Sequence, residues 1–177
     1  MEHKGFTLWF TGLACSGKSI LADAVAEDLK ARGMKVERLD GDIVRKSLTR
    51  DLGFSDDDRR MNIERITFVA KLLTRNKVAI LASFISPFND IRDYSRKEIG
   101  AYILVYVKCP IEVCEQRDVK GMYAKAKAGE IKQFTGIDSP FEEPDKADII
   151  VETDKQTIEE SKNIVLDALD KMGYLPN

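Results

Sequence analysis

One run of eight residues restricts the fold of this chain more than any other feature. Gly12, Leu13, Ala14, Cys15, Ser16, Gly17, Lys18 and Ser19 fit the spacing G-x-x-x-x-G-K-[ST]. Glycines at those positions let the backbone curl until successive N–H groups converge on an anion. The helix that must follow adds its positive end. The spacing has this meaning only between a strand and a helix. Residues 6–10 (FTLWF) form a run of β-formers, and residues 20–32 place Leu21, Ala24, Val25 and Leu29 at helical spacing before Gly33. The other reading of the same residues is a glycine-rich turn that binds nothing.

If the turn is a phosphate cradle, Lys18 brings a full charge to the β- and γ-phosphates of a nucleotide, and the Ser19 hydroxyl can ligate Mg²⁺. Residues 12–19 with Ile20 are then the ATP-binding set. Cys15 occupies a free position of the pattern, as a tolerated small residue or as a thiol open to oxidants.

The rest of the chain alternates in the same way. Strand candidates lie at 36–39, 78–84, 102–107 and 149–151. Helix candidates lie at 43–48, 56–75, 89–99 and 155–172. The run 78–84 (VAILASF) is apolar almost throughout, as a strand covered on both faces must be. This order predicts an α/β chain: a three-layer P-loop fold with a mostly parallel five-stranded sheet and helices on both faces. A length of 177 residues predicts a single domain, 1–177. Between about 118 and 144 the pattern weakens into a polar stretch rich in Gly and Lys, with a helical middle at 122–128. That length suits a functional loop or lid.

A phosphate cradle names a ligand, not a reaction. The second strand ends in Asp40, Gly41 and Asp42, where ligands gather in open α/β sheets. Two carboxylates there can hold a metal or orient an acceptor hydroxyl, or can be an ordinary solvated turn. The net charge of −2 gives no overall cationic pull toward nucleic acid or an anionic membrane. No apolar run approaches the ~20 residues of a membrane span. Cys15, Cys109 and Cys114 match no CxxC metal spacing, and an odd count without a signal sequence suggests reduced thiols in a cytoplasm.

Longer blocks narrow the class. Residues 39–45 (LDGDIVR), 52–55 (LGFS) with Asp58, Arg59, Asn62 and Ile63, 83–88 (SFISPF), 114–121 (CEQRDVKG) and 134–138 (FTGID) occur in the order found in one family. Over nearly its whole length the chain resembles adenylylsulfate kinases (APS kinases). The resemblance implies ATP-dependent phosphorylation of the 3′-hydroxyl of adenosine 5′-phosphosulfate (APS), a reaction of sulfate activation. It implies Mg²⁺ with ATP as co-substrate, bound by Ser19 and Asp42. It makes Lys18, Asp42 and Ser86 the catalytic set, with Asp42 orienting or deprotonating the acceptor hydroxyl. Ser86 matches a position described in the family as a phosphorylated intermediate, which direct in-line transfer does not need. Arg45, Arg59 and Asn62 match residues that hold the phosphosulfate. Phe54 and Phe134 match aromatics on either side of the APS adenine, and Ile85 and Ser86 a loop that touches APS. Arg117 and Lys120 match the lid over both substrates. By analogy the resemblance also implies a homodimer and a functional association with ATP sulfurylase.

Read from the residues alone, Phe54 and Phe134 have a second reading as core aromatics, for which their polar and Gly-flanked loops are less typical, and Arg59, Arg65 and the lysines at 120, 125, 127 and 132 have one as solvated surface. The chain departs from the family pattern at Ile43, Met61, Glu64, Asn89 and Gln133, which bears on acceptor affinity. Two rival classes follow from the same motifs. One is a kinase for another small alcohol or nucleoside. The other is a guanine-reading switch, disfavoured because Asn76, Lys77, Val78 and Ala79 lack the Asp that reads guanine.

Overall fold

A computed structural model describes residues 4–176, so the ends of the expected span 1–177 lie outside the described residues. Five strands, β1 (Phe6–Thr11), β2 (Val36–Asp40), β3 (Ala79–Ser83), β4 (Tyr102–Lys108) and β5 (Ile149–Glu152), form one sheet in the order β2-β3-β1-β4-β5. Every pairing is parallel. The helices are α1 (Lys18–Ala31), α2 (Gly41–Val44), α3 (Asp56–Arg75), α4 (Asn89–Ile99), α5 (Ile111–Gln116), α6 (Met122–Lys127) and α7 (Ile158–Lys171).

The central strand β1 is buried along its whole length, and its side chains alternate between two cores. Phe6, Leu8 and Phe10 pack with Leu21, Val25 and Leu29 of α1 and Val165 and Leu169 of α7. Trp9 packs on the opposite face with Ile80, Ala82, Ile63, Ile66 and Ile91, the last three from α3 and α4. The three layers therefore follow directly from the period of β1.

Capping chemistry sets the helix boundaries. Ser55 Oγ accepts from the Asp58 N–H at 3.2 Å, and Asp56, Asp57 and Asp58 in the first turn complement the dipole of α3. Helix α7 begins at Ile158 rather than 155, because Thr157 and Glu160 form a capping box. Helix α2 forms at 41–44 rather than 43–48. The Asp40 carboxylate accepts from the Asp42 N–H and turns the chain directly at the strand end. Helix α5 was not anticipated, since its six residues are too few to display a period. The expected lid segment contains only α6 and one isolated bridge, Thr135 to Ser139.

Register places the functional edge. Asp40 and Phe10 both pair with Ser83, and Thr11 pairs with Tyr106, so the strand ends open onto one side of the sheet. Among the described residues no helix is long and apolar enough to cross a membrane.

Candidate active site

The turn after β1 is a backbone anion nest. Gly12 has φ +151°, and a Cβ there would lie 2.5 Å from the Val107 carbonyl oxygen, so only glycine fits. Cys15 (φ +61°) and Gly17 (φ +99°) put left-handed residues on either side of Ser16, which turns N–H groups inward. Cys15 pays the steric cost of a left-handed conformation that glycine would avoid. Leu13, Ala14 and Cys15 pack on a small cluster formed by Cys109, Cys114 and Tyr123. The Tyr123 hydroxyl fixes the loop by donating to the Ala14 carbonyl at 2.9 Å, and Thr153 Oγ1 donates to the Ser16 carbonyl at 2.8 Å. Ile20 is exposed beside the nest.

Lys18 opens α1 and folds back over the turn, its Nζ donating to the Leu13 carbonyl at 2.6 Å. It is nearly buried, and burial pulls its pKa down to about 8. Ser19 Oγ donates to Asp40 Oδ2 at 2.7 Å. The carboxylate that meets Ser19 is thus Asp40, not Asp42. Asp42 is exposed and pairs at 3.3 Å with Lys120 of the lid segment. Two contacts therefore lead from the cradle to the lid, Ser19 to Asp40 and Asp42 to Lys120, and the Asp42 N–H joins them by donating to Asp40 at 3.0 Å.

The expected acceptor residues come together around Arg59. It is 8% exposed. Its Nε donates to the Phe54 carbonyl at 2.8 Å, one terminal nitrogen to Thr135 Oγ1 at 2.5 Å, and the other to the Gln133 carbonyl. One planar side chain thereby ties the backbones of the two loops that carry Phe54 and Phe134. Burial and the neighbouring Arg45 both lower the Arg59 pKa. Arg45 donates to the Gly53 carbonyl at 2.9 Å and lies over the Phe54 ring, 4.2 Å from its centroid. Phe54 is 55% exposed, an unusual setting for a core aromatic. Phe134 is half-buried and meets Tyr123 edge-on, 4.9 Å between centroids. Asn62 is buried with its Oδ1 unpartnered among the described residues, an acceptor left for something else.

Ile85 and Ser86 lie just beyond β3. Thr11 Oγ1 donates to the Ile85 carbonyl at 2.6 Å. Ser86 is 2% exposed, has φ +45°, and its hydroxyl accepts from the Trp9 indole at 2.8 Å. That hydroxyl is engaged in holding a strained loop in place. Arg117 is exposed and donates to the Thr153 carbonyl at 2.7 Å and to its Oγ1 at 3.2 Å.

Sequence reasoning missed Asp40 as the partner of Ser19, along with Thr135, Tyr123 and Arg92. Asp40 was legible as the last residue of a strand, but not its reach to Ser19, since β3 lies between β2 and β1. The others depend on tertiary contact and leave no local signal.

Comparisons with known proteins place the chain in a family. The family model described as adenylylsulphate kinase matches residues 4–152. A "Probable adenylyl-sulfate kinase" of Pseudomonas aeruginosa is 58% identical, over 94% of this chain and 78% of its own. An "Adenylyl-sulfate kinase" of Halothermothrix orenii is 55% identical, over 98% of this chain and 94% of its own. Among solved structures, the Mycobacterium tuberculosis APS kinase in complex with AMPPNP and APS superposes with a TM-score of 0.91 at 41% identity, covering 95% of this chain and 99% of that one. Nest, carboxylate pair and arginine-tied aromatic loops thus occur together in a chain that belongs to the adenylylsulphate kinase family.

Proposed function

We propose that this chain transfers the γ-phosphoryl group of ATP to the 3′-hydroxyl of APS, giving 3′-phosphoadenosine 5′-phosphosulfate and ADP. The single observation that carries this reading is the guanidinium of Arg59 joining the Phe54 and Phe134 loops. It builds an aromatic, cationic acceptor side next to a nucleotide cradle, which suits a planar base bearing a phosphosulfate.

The roles follow from the groups present. The nest at 12–19 and the start of α1 receive the ATP phosphates, with Ile20 and Arg117 at the nucleotide's margins. Lys18 exchanges the Leu13 carbonyl for phosphate oxygens and offsets the charge on the transferring group. The 3′-oxygen forms a bond to γ-phosphorus as the bond from γ-phosphorus to the β–γ bridging oxygen breaks, and the hydroxyl proton passes to Asp42. Arg45, Arg59 and Asn62 hold the phosphosulfate, and Phe54 and Phe134 receive the adenine. Ile85 and Ser86 shape the wall beside it. Ser86 acts through its place in the loop, its hydroxyl oxygen accepting from the Trp9 indole.

The Ser19 hydroxyl and the Asp40 carboxylate, 2.7 Å apart, fit Mg²⁺, a hard cation that binds few protein oxygens and keeps several waters, and Asp42 follows two residues on. When bound, Mg²⁺ neutralises phosphate charge. Residues 118–144 act as the lid of a single kinase domain, and Lys120 leaves Asp42 when substrates enter. A homodimer, association with ATP sulfurylase and a cytoplasmic setting complete the proposal, the last supported by three free cysteines.

A coupled ADP-release assay with and without APS tests the reading. APS-dependent release supports it, and preferential phosphorylation of another alcohol overturns it. Asp42→Ala should lower kcat by about 10²–10³-fold, as expected for loss of a general base, with ATP affinity nearly unchanged. Near-normal turnover would remove Asp42 from the chemistry.

A further inference from the structure

We infer that Arg92, completed by Asn89, is a positioning residue that fixes the spacing between the acceptor loop at 85–86 and the irregular segment 139–148 by which the chain leaves the lid. This rests on the acceptor reading above.

Arg92 is 2% exposed although it carries a charge. Its guanidinium donates to three neutral oxygens: the Ser86 carbonyl, Asn89 Oδ1 at 2.6 Å and the Glu142 carbonyl at 2.6 Å. These bonds satisfy the two terminal nitrogens, as burial of a cation demands, while Nε has no hydrogen-bond partner among the described residues. Ser86 belongs to the acceptor wall and Glu142 to the lid return, so one rigid fork spans both. The Arg92 cation also lies 5.8 Å from the centroid of Phe141, next to Glu142.

Asn89 closes the clamp from the first residue of α4. Its N–H donates to Glu142 Oε2 at 2.7 Å and its Nδ2 to the Glu143 carbonyl at 3.1 Å. Its Oδ1 also accepts from the Asp145 N–H at 3.2 Å. The Glu142 N–H in turn donates to the Pro87 carbonyl at 2.8 Å. One turn further along α4, Arg96 holds Asp148 at 2.7 Å. Two turns of one helix therefore grip the lid's exit.

The other end of that return leads directly into the Phe134 loop. There the Asp138 carboxylate accepts from the Gln133 and Phe134 N–H groups at 2.8 and 2.6 Å. The Phe134 loop is thus held on one side by Arg59 and on the other by Asp138, four residues before the clamped Glu142. The Ser86 conformation, at φ +45°, persists because Trp9 and Arg92 over-determine it. Loss of the fork frees both walls of the acceptor side and leaves the nest at 12–19 untouched.

The test uses the full chain with Arg92→Lys, and Asn89→Ala as a milder second variant should the first fail to fold. Two measurements are made on each folded variant: steady-state KM for ATP and for APS, and hydrogen exchange at the Glu142 and Asp145 amides. The expected result is a rise in KM for APS of about tenfold, the loss of roughly one charge-assisted hydrogen bond. KM for ATP stays within about twofold by the same scale, and both amides exchange faster. Equal rises in both KM values, or faster exchange with KM for APS unmoved, overturn the positioning role. If the wild type shows no APS-dependent ADP release, the functional reading fails. Unchanged exchange in a folded Arg92→Lys protein overturns the clamp itself.

Discussion

The glycine turn proposed as the phosphate cradle and the region proposed as the acceptor side are built in opposite ways. The cradle is local, made by residues 12–19 between a buried strand and the helix it feeds. The acceptor side is assembled from residues near 45–62, 85–92 and 133–142, tied by the side chains of Arg59 and Arg92. The cradle depends on backbone conformation, so glycine spacing controls it. The acceptor side depends on guanidinium forks that reach across the fold. Damage to one should therefore leave the other largely intact.

The strongest attempt to break that separation is Lys18→Met. It should reduce kcat by about 10³-fold, the scale of losing a preorganised charge at the reacting group. APS affinity, measured by direct titration, should change little. A matching loss of APS affinity would show that the two sides are one unit.

Phe54→Ala probes the opposite side. A stacked base contributes ~1–3 kcal/mol, so KM for APS should rise by about 30-fold. The ring is 55% exposed, so the melting midpoint should hardly move. Steady-state kinetics with each substrate varied in turn should leave KM for ATP unchanged.

A pH series sharpens the comparison without mutation. Burial lowers the Lys18 pKa from 10.5 to about 8 in the free protein. The ammonium is therefore lost as pH climbs through that value, before phosphate can use it. ATP affinity should weaken by about tenfold between pH 7 and pH 9, as a single titration requires. Lys18→Met should flatten this profile. The folding linkage has the opposite sense. Between about 8 and 10.5 the unfolded chain binds the extra proton, so the Lys18 contribution to stability rises with pH.

The smallest effect belongs to neither side. Thr157→Ala removes the capping box of α7 and should cost about 1 kcal/mol in a denaturant melt. Both KM values should be unaffected.

The same contrast explains what could be read from the chain beforehand. Strand β1, the nest and α1 were legible because period, glycine spacing and helix start agree within 26 residues. Helix α3 was legible from its length of 20 residues and its helical spacing of apolar side chains. The order of the strands and the contacts of the lid were not, because parallel pairing joins residues far apart in the chain. Asp42 stood out beside Asp40, yet only register shows that Asp40 reaches Ser19. Arg92 resembles any helix arginine until Ser86 and Glu142 are brought to it. Roles for Arg59, Asn62, Phe54 and Phe134 are implied by resemblance, and only their neighbours in the fold give those roles a physical argument.

The bond between the Trp9 indole and Ser86 has an optical consequence. Trp9 is the sole tryptophan of the chain, so all indole emission arises from one place. That place is buried behind the wall against which the acceptor is expected to settle. Any shift of the loop alters the polarity around a single fluorophore, and the native protein can report occupancy of that wall by its own colour, with no dye attached.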